Sequence, residues 1–331
     1  MTGHEALEGA LDIVPLSALA FLTALILDLI IGDPEKAPHP VRWIGRIAAF
    51  LEAAIRKALP NSAGWERLGG ALLWVFVVGG AYAATALVIH YAGLHSTALS
   101  FVLSVFFIWA GLSMKALGDE ALAVVRALGH GLDEGRRRLG RIVGRDTGDL
   151  EEKEVLKAAV ETVAENTSDG VIAPLCFLLL GGPALMMAYK AVNTLDSMVG
   201  YRNERYRHFG WFSARMDDAA NFVPARLSGA LIITASFILG YNWMKSAAML
   251  ARDGRNHLSP NSGVPEAAMA GALGVKLGGG SFYGGVFSEK PWIGDPVKDI
   301  DTGTVMSSVS IMRAAGLTMA GAVMTIMLLF D

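Results

Sequence analysis

Two long segments without a charged residue, 68–89 and 96–114, most constrain how this chain can fold. A membrane-spanning helix needs about 20 predominantly apolar residues, and both segments reach that length. The short stretch 91–95 separates them, which predicts a helical hairpin. Because lipid cannot satisfy backbone polar groups, the spanning elements are expected to be helices.

Four further segments have the composition of spans. Segment 171–189 is interrupted by Pro174 and by Gly181-Gly182-Pro183, which predicts a broken or re-entrant helix beside a polar cavity. The others are 13–31, 227–244 and 314–330. The predicted fold is therefore an all-α integral membrane protein. We expect a polytopic helical bundle with four to six crossings and amphipathic cytoplasmic helices.

Composition supports one membrane-embedded domain over residues 1–331. Charged residues make up 18% of the chain, against roughly a quarter in soluble domains. The net charge of −3 creates no basic field, so a nucleic-acid partner is not expected. The single cysteine, Cys176, excludes a disulfide framework.

The distribution of basic residues predicts an orientation. Regions 32–67 and 115–170 are rich in Lys and Arg, whereas the first twelve residues contain neither. The positive-inside rule then places the N-terminus outside and both regions in the cytoplasm. Regions 192–226 and 245–309 are also basic, although simple alternation would place them on opposite sides.

A carboxylate cluster precedes the interrupted segment. Glu161 and Glu165 share a helix face at i and i+4, and Asn166 and Asp169 follow them. Two carboxylates at that spacing repel unless a cation or proton lies between them, and all-oxygen ligands suit Mg²⁺. The alternative is a solvated helix end at which Asn166 and Asp169 act as caps.

Two polar stripes follow this cluster. Lys190, Asn193 and Asp196 recur at three-residue steps, and ionisable groups at membrane depth usually face a partner or a cavity. Snorkelling of Lys190 is the alternative interpretation. Asp218 and Asn221 form a second pair of hard-cation ligands. Arg226 could hold a phosphate or carboxylate, or this stretch could simply cap a helix.

The remaining candidates lie in loops. Residues 252–263 form a loop dense in donors that is suited to anions, and its candidate binders are Arg252, Asn256, His257 and Asn261. The glycine-rich stretch 278–285 lacks the phosphate-loop pattern, so a flexible turn is at least as good an interpretation. Asp28, Asp33 and Arg42 lie at the end of the first span, beside the turn-forming Gly32-Asp33-Pro34 that recurs at 294–296.

Five stretches carry a resemblance to a known family. In this order, GDPEKAPHPVRWIG, ETVAENTSDGVIAP, AYKAVNTLDSMVGYRNERY, DDAANFVPARL and DGRNHLSPNSGVPEAAMAGAL resemble the CobD/CbiB family of cobalamin biosynthesis. The resemblance runs from about residue 20 to the C-terminus and leaves an extension of about a dozen residues before it.

The resemblance implies adenosylcobinamide-phosphate synthesis in the bacterial inner membrane, with the active site on the cytoplasmic side. Such a ligase joins adenosylcobyric acid, a corrinoid, to aminopropanol or its O-phosphate through an amide bond, and uses ATP and Mg²⁺. Its expected partners are these small molecules, membrane lipid and other membrane enzymes of the pathway. A transporter, or a corrin-binding accessory protein without catalysis, is the alternative, although the sequence contains no internal repeat of the kind found in many transporters.

Under this resemblance the candidate residues take roles. Catalytic roles fall to Glu161, Glu165, Lys190 and Asp196. Substrate or phosphate binding falls to Arg42, Asn166, Asn193, Arg226, Arg252, Asn256, His257 and Asn261. Metal binding falls to Asp28, Asp33, Glu161, Glu165, Asp169, Asp218 and Asn221.

Overall fold

A computed structural model describes residues 15–33, 39–201 and 203–330, and most of them are helical. The helices are α1 (Leu16–Ile31), α2 (Pro40–Ala58), α3 (Ala63–His95), α4 (Thr97–Gly111), α5 (Met114–Leu128), α6 (Leu132–Leu139), α7 (Glu152–Asn166), α8 (Ala173–Val199), α9 (Trp211–Ala220), α10 (Phe222–Ile238), α11 (Trp243–Asp253), α12 (Gly263–Leu273) and α13 (Thr302–Phe330). A π-helical turn, Thr167–Ile172, joins α7 to α8.

The strands are short and lie between α12 and α13. They are β1 (Leu277–Gly278), β2 (Ser281–Tyr283), β3 (Val286–Ser288) and β4 (Trp292–Ile293). Strand β1 pairs antiparallel with β4, and β2 pairs antiparallel with β3. The predicted all-α membrane fold is confirmed, and these two ribbons are a local addition to it.

Four helical stretches among the described residues are long and apolar enough to cross a membrane. They are Ala63–His95, Thr97–Leu128, Glu152–Val199 and Thr302–Phe330. The bent pair α9 and α10 would make a fifth span. Three predicted spans, 68–89, 171–189 and 314–330, fall within these stretches, and 96–114 overlaps the second of them, with Ser96 capping α4 and a break at 112–113. Helix α1 is apolar but has only 16 residues, so the first predicted span is short; positions 13 and 14 lie outside the described residues.

The predicted break in segment 171–189 is confirmed. Gly181 and Gly182 leave the helical conformation, with φ/ψ of −160°/27° and 66°/−163°, and Pro183 follows directly. The positive φ of Gly182 is a conformation that glycine adopts without a Cβ penalty. A second irregularity, the π-helical turn, ends shortly before Pro174.

The predicted span 227–244 is wrong at both ends. Its helix, α10, begins at Phe222 and ends at Ile238, and Gly240 follows with a φ of 76°. The Asn242 side chain then caps α11 by accepting a hydrogen bond from the Lys245 N–H at 3.0 Å. Residues 239–244 contain no charged side chain, and that absence conceals the break in the sequence.

The chain divides into two compact units, each with a hydrophobic core. The first contains the described residues up to 113, of 174–220 and from 320 onward, and its core includes Leu73, Met187, Leu195 and Phe209. The second contains residues 114–173 and 221–319. The prediction of a single membrane-embedded domain stays a prediction.

Helix α12 is the centre of the second unit. Every residue from Gly263 to Leu273 is buried, and the helix packs against α7, α10 and α11. All of these residues except one are uncharged, so burial of the helix is expected from composition. The exception is Glu266, which is 4% exposed. This helix therefore carries one carboxyl group into the core of the unit.

Candidate functional site

A set of charged side chains surrounds Glu266 in the second unit. Glu161 and Glu165 come from α7, and His257 comes from the loop before α12. Arg145 precedes α7, and Lys290 follows β3. We call these six residues the polar cluster: Arg145, Glu161, Glu165, His257, Glu266 and Lys290. Glu161 and Glu165 can both face this cluster because residues four apart in a helix lie on one face.

Glu161 is held by two partners. Its Oε2 lies 2.7 Å from Arg145 Nη2, and its Oε1 accepts a hydrogen bond from the Gly278 N–H at 2.7 Å. The Glu161 and Arg145 side chains are 5% and 11% exposed. Burial disfavours the charged guanidinium, but Glu161, Tyr283 and Glu266 together outweigh this effect and raise the pKa of Arg145. Both oxygens of Glu161 are thus engaged by the protein itself, and its predicted role as a metal ligand stays a prediction.

Glu165 is exposed and makes a contact of a different kind. Its Oε1 accepts a hydrogen bond from Ser262 Oγ at 2.9 Å. The Ser259 hydroxyl accepts from the Ser262 N–H at 3.3 Å, and the Ser259 N–H donates to His257 Nδ1 at 3.0 Å. Together these bonds order the loop before α12 and fix the orientation of the His257 ring.

The contacts of His257 define its tautomer. Since Nδ1 accepts a backbone hydrogen bond, the proton of the neutral ring lies on Nε2. That nitrogen is 3.8 Å from Glu266 Oε1. Burial and the positive charge of Lys290 lower the pKa of His257 and so favour the neutral ring, against the opposing effect of Glu165.

Burial is also the main influence on the pKa of Glu266. Burial raises this pKa well above 4.5, and the negative charges of Glu161 and Glu165 act in the same direction. Lys290 and Arg145 oppose the shift. The polar cluster therefore contains a carboxyl group and an imidazole that both favour their neutral forms, which is typical of sites that handle protons.

Arg226 and Asn261 are brought together, although they come from separate sequence motifs. Arg226 Nη1 donates to Asn261 Oδ1 at 2.7 Å, and its Nη2 donates to the Pro260 carbonyl at 3.2 Å. The guanidinium also stacks on the Phe222 ring, 3.7 Å from its centroid. Asn221, at the start of the same helix, is 1% exposed. Arg226 is thus pre-oriented beside the loop that leads to α12.

Arg252 and Asn256 surround a buried carboxylate. Asp253 accepts hydrogen bonds from Arg252 Nε at 2.8 Å and Nη2 at 2.7 Å, and from the Gly294 N–H at 2.8 Å. Asn256 Nδ2 lies 3.4 Å from Asp253 Oδ1, and Arg252 also pairs with Asp295 at 3.0 Å. The second Gly-Asp-Pro turn is therefore fastened to the end of α11, and the predicted substrate-binding role of Arg252 stays a prediction.

Replacing Asp253 with asparagine is expected to lower stability by about 1–2 kcal/mol, since it removes charge-assisted hydrogen bonds to Arg252 and Gly294. Hydrogen bonding to Arg252 lowers the pKa of Asp253 below 3.8. The stabilisation is therefore present above that pH and lost as pH falls through the folded-state pKa. Melting temperatures in detergent at neutral and acid pH test this, with the 84%-exposed Asp299→Asn as control. Equal melting of both variants at neutral pH would contradict the role of Asp253.

The first unit contains a second polar group. Asp33 Oδ1 lies 3.6 Å from both His39 Nε2 and Arg42 Nη2. Burial lowers the pKa of His39, the positive charges of Arg42 and Lys190 add to the effect, and Asp33 opposes it. Lys190 is buried, and its Nζ lies 3.5 Å from Ser113 Oγ. Positive groups outnumber carboxylates here, as expected for an anion-binding surface.

The candidate residues divide between the two units. Those in the first are Asp28, Asp33, Arg42, Lys190, Asn193, Asp196 and Asp218. Those in the second are Glu161, Glu165, Asn166, Asp169, Asn221, Arg226, Arg252, Asn256, His257 and Asn261. Asp28 is 1% exposed, whereas Asn193, Asp196, Asp218 and Asp169 are half-buried. Asn166 donates from Nδ2 to the Thr162 carbonyl of its own helix at 2.9 Å.

Four residues of the site were not predicted: Arg145, Asp253, Glu266 and Lys290. Only Glu266 had a local signal, as the single charge within an apolar helical stretch. Among residues 15–33, 39–201 and 203–330, no group of three His, Cys, Asp or Glu side chains is arranged as a metal site.

Comparison with known proteins gives a consistent result. A family model described as "CobD/Cbib protein" matches residues 21–312. The cobalamin biosynthesis protein CobD of Geobacter metallireducens is 50% identical over 310 residues, covering 93% of this chain and 96% of that protein. CobD of Klebsiella pneumoniae is 47% identical, covering 91% and 94%, and CbiB of Salmonella typhimurium is 45% identical with the same coverage. No solved structure matches the chain.

Proposed function

The chain belongs to the CobD/CbiB family, and from this premise we propose that it is an ATP-dependent ligase of cobalamin biosynthesis. It joins the free carboxylate of adenosylcobyric acid to aminopropanol or its O-phosphate through an amide bond. The product is adenosylcobinamide or its phosphate. The observation that carries this proposal is the polar cluster around Glu266, because amide formation requires a positioned acid–base group near neutral pH.

The chemistry explains why such a site needs several kinds of residue. A carboxylate resists attack by an amine until it is activated as an acyl phosphate or acyl adenylate. Activation joins two anions, so positive groups must offset their charge. In the second unit we assign this role to Arg226; Arg42 and Lys190 are the candidates for an anion in the first unit. A base then removes a proton from the ammonium so that its nitrogen can attack.

Magnesium fits this site as a companion of the nucleotide. Mg²⁺ usually keeps several waters and binds substrate phosphates together with only one or two protein carboxylates. Glu165 suits that role because it is exposed and its Oε1 is oriented by Ser262. The ion would offset the charge of the phosphate oxygens. Asp169 and Asn221 of the same unit remain candidates for further oxygen ligands, and Asp28, Asp33 and Asp218 remain metal-binding candidates within the first unit.

The apolar helices support a multi-pass membrane protein. We place it in the bacterial inner membrane with its site on the cytoplasmic side, where ATP is available and where basic loops are favoured. A large corrin would then lie against the lipid surface. Other membrane enzymes of the pathway are natural neighbours because they would exchange corrinoids with it.

The proposal is tested with the full chain purified in detergent. The protein is supplied with adenosylcobyric acid, ATP and Mg²⁺, together with aminopropanol or its phosphate. Mass spectrometry then follows the corrin and the nucleotide in one sample. We expect a condensed corrin, with ADP or AMP identifying the activated intermediate. Tight corrin binding without product would overturn the ligase and favour an accessory protein, whereas corrin movement only across sealed vesicles would favour a transporter.

A further inference from the structure

Glu266 is buried, and its charged form is poorly compensated. It is 4% exposed, and burial disfavours its ionised form and so raises its pKa. Its nearest basic atom, His257 Nε2, is 3.8 Å away, beyond hydrogen-bonding distance. Burying an ionised carboxyl group costs free energy unless it is paired. A polar group that enters beside Glu266 would reduce that cost.

The charges of the polar cluster indicate which polar group this is. The cluster contains the three carboxyl groups of Glu161, Glu165 and Glu266, but only two permanent cations, Arg145 and Lys290. Glu161 and Arg145 form an ion pair, which leaves Lys290 to offset two carboxyl groups. The neutral His257 adds a hydrogen-bond donor and no charge. With all three carboxyl groups ionised, these side chains carry one more negative than positive charge, and either the proton of neutral Glu266 or a bound ammonium offsets it.

We propose that Glu266 is the residue that binds the amine substrate as its ammonium and accepts its proton, with His257 as the positioning residue. The inference rests on the proposed ligase function and assigns the subsite for its amine. His257 Nε2–H lies on the Oε1 side of Glu266, and Nδ1 is fixed by the Ser259 N–H. The ring is thus oriented to hold the carboxylate that receives the amine.

The reaction begins with the loss of a proton from the bound ammonium. An ammonium N–H proton moves to the Glu266 carboxylate and leaves a neutral amine with a free electron pair. That pair attacks the activated acyl carbon and forms the C–N bond, while the C–O bond to the phosphate or adenylate breaks. The electron pair of that bond leaves with the phosphate oxygen, which also takes the second N–H proton. Glu266 then returns its proton to solvent.

The electrostatic surroundings suit this transfer. Proton transfer is most efficient when the pKa values of donor and acceptor approach each other. Glu161 and Glu165 of α7 raise the affinity of Glu266 for a proton, while Arg145, before that helix, and Lys290, after β3, oppose them. Burial raises the pKa of Glu266, which brings it closer to the pKa of an alkylammonium than the pKa of an ordinary carboxyl group would be.

The first test measures binding and does not depend on turnover. Wild type, Glu266→Gln and the control Glu289→Gln, an exposed position outside the polar cluster, are heated in detergent with 1-amino-2-propanol or with propane-1,2-diol. We expect the amine to raise the melting temperature of wild type and of Glu289→Gln, but not of Glu266→Gln, and the diol to raise none. An equal amine effect in Glu266→Gln, or none in wild type, would overturn the inference whether or not the protein is a ligase.

The second test separates proton removal from activation. In the condensation assay, Glu266→Gln is expected to lower kcat/KM for the amine about 10²–10⁴-fold, the range typical of a general base. Hydroxylamine, which is largely unprotonated at neutral pH, should still yield corrin hydroxamate because it needs no base. Loss of hydroxamate to the same extent would assign Glu266 to activation or folding. Absence of ATP-dependent product in wild type would reject the ligase and leave the binding test to decide the amine subsite.

Two further measurements distinguish a functional role of Glu266 from a structural one: the melting temperature of Glu266→Gln and the kinetics of His257→Gln. A glutamine side chain is a neutral isostere of the protonated acid, so Glu266→Gln should melt no lower than wild type. His257→Gln should keep most of kcat but raise KM for the amine and shift the acid limb of the pH profile. Strong destabilisation by Glu266→Gln, with activity per folded molecule unchanged, would show that the carboxyl group serves the fold.

Discussion

Replacing Arg145 with methionine should lower the free energy of unfolding by about 3–5 kcal/mol, the usual cost of leaving one member of a buried ion pair alone. Arg145 lies 2.7 Å from Glu161, and their side chains are 11% and 5% exposed. After the substitution, Glu161 keeps the Gly278 N–H but loses its counter-ion. Thermal unfolding in detergent measures the loss, which should be accompanied by reduced yield of folded protein.

A paired design separates the buried charge from lost packing. Adding Glu161→Gln to Arg145→Met should recover part of the melting temperature, because the second change removes the uncompensated charge. The control is Arg137→Met, which removes a 71%-exposed guanidinium paired with Glu134 and should cost less than about 1 kcal/mol. If Arg145→Met melts like Arg137→Met, the buried pair contributes little and Glu161 is held by other contacts.

The membrane architecture could be predicted because it depends on long local patterns. The absence of charge over 68–89 and 96–114 indicates helices in lipid, and both are present. The ends of the predicted spans are less accurate than their positions. Helix α3 extends from Ala63 to His95 because backbone hydrogen bonding continues beyond the most apolar residues. Helix α10 stops at Ile238 for a conformational reason, the turn at Gly240, which hydropathy does not register.

The site could be predicted only where neighbours in sequence are neighbours in space. Glu161 and Glu165 share a face because they are one helical turn apart. Arg145 and Lys290 had no such signal, since their positions beside the carboxylates depend on tertiary packing. Glu266 was missed for another reason. It lies within an apolar stretch, where pattern reading assigns the whole helix to the core.

The glycine-rich stretch has a role that its sequence does not indicate. Backbone amides of such a loop can approach an anion closely because glycine has no side chain. In the structure the Gly278 N–H donates to Glu161, a carboxylate of the protein itself. The φ of 83° at Gly278 accounts for the choice of residue, and a Cβ there would meet the Pro291 carbonyl at 2.3 Å. The loop therefore orients the polar cluster.

The second large loss of stability is expected from the substitution Gly271→Ala, on the helix that carries Glu266. A Cβ at Gly271 would lie 2.3 Å from the Lys245 carbonyl oxygen and 2.7 Å from the Ser246 Cα. These are backbone atoms of α11, so they cannot move aside as a flexible side chain would. The buried Ser246 hydroxyl also donates to the Ala268 carbonyl at 2.7 Å and holds the two helices at this distance.

Overpacking at this contact should cost about 3 kcal/mol, near the upper end of its usual range. It should also move α12 and lower ligase activity per folded molecule, because Glu266 lies little more than one turn away on the same helix. Gly80→Ala is the matched control, since Gly80 lies within α3 and a Cβ there meets nothing within 4 Å. Gly80→Ala should raise the free energy of unfolding by up to about 1 kcal/mol, because alanine has a higher helix propensity than glycine. If Gly271→Ala melts as high as Gly80→Ala and retains activity, close packing of α11 on α12 does not position the carboxyl group, and the loop around His257 must do so alone.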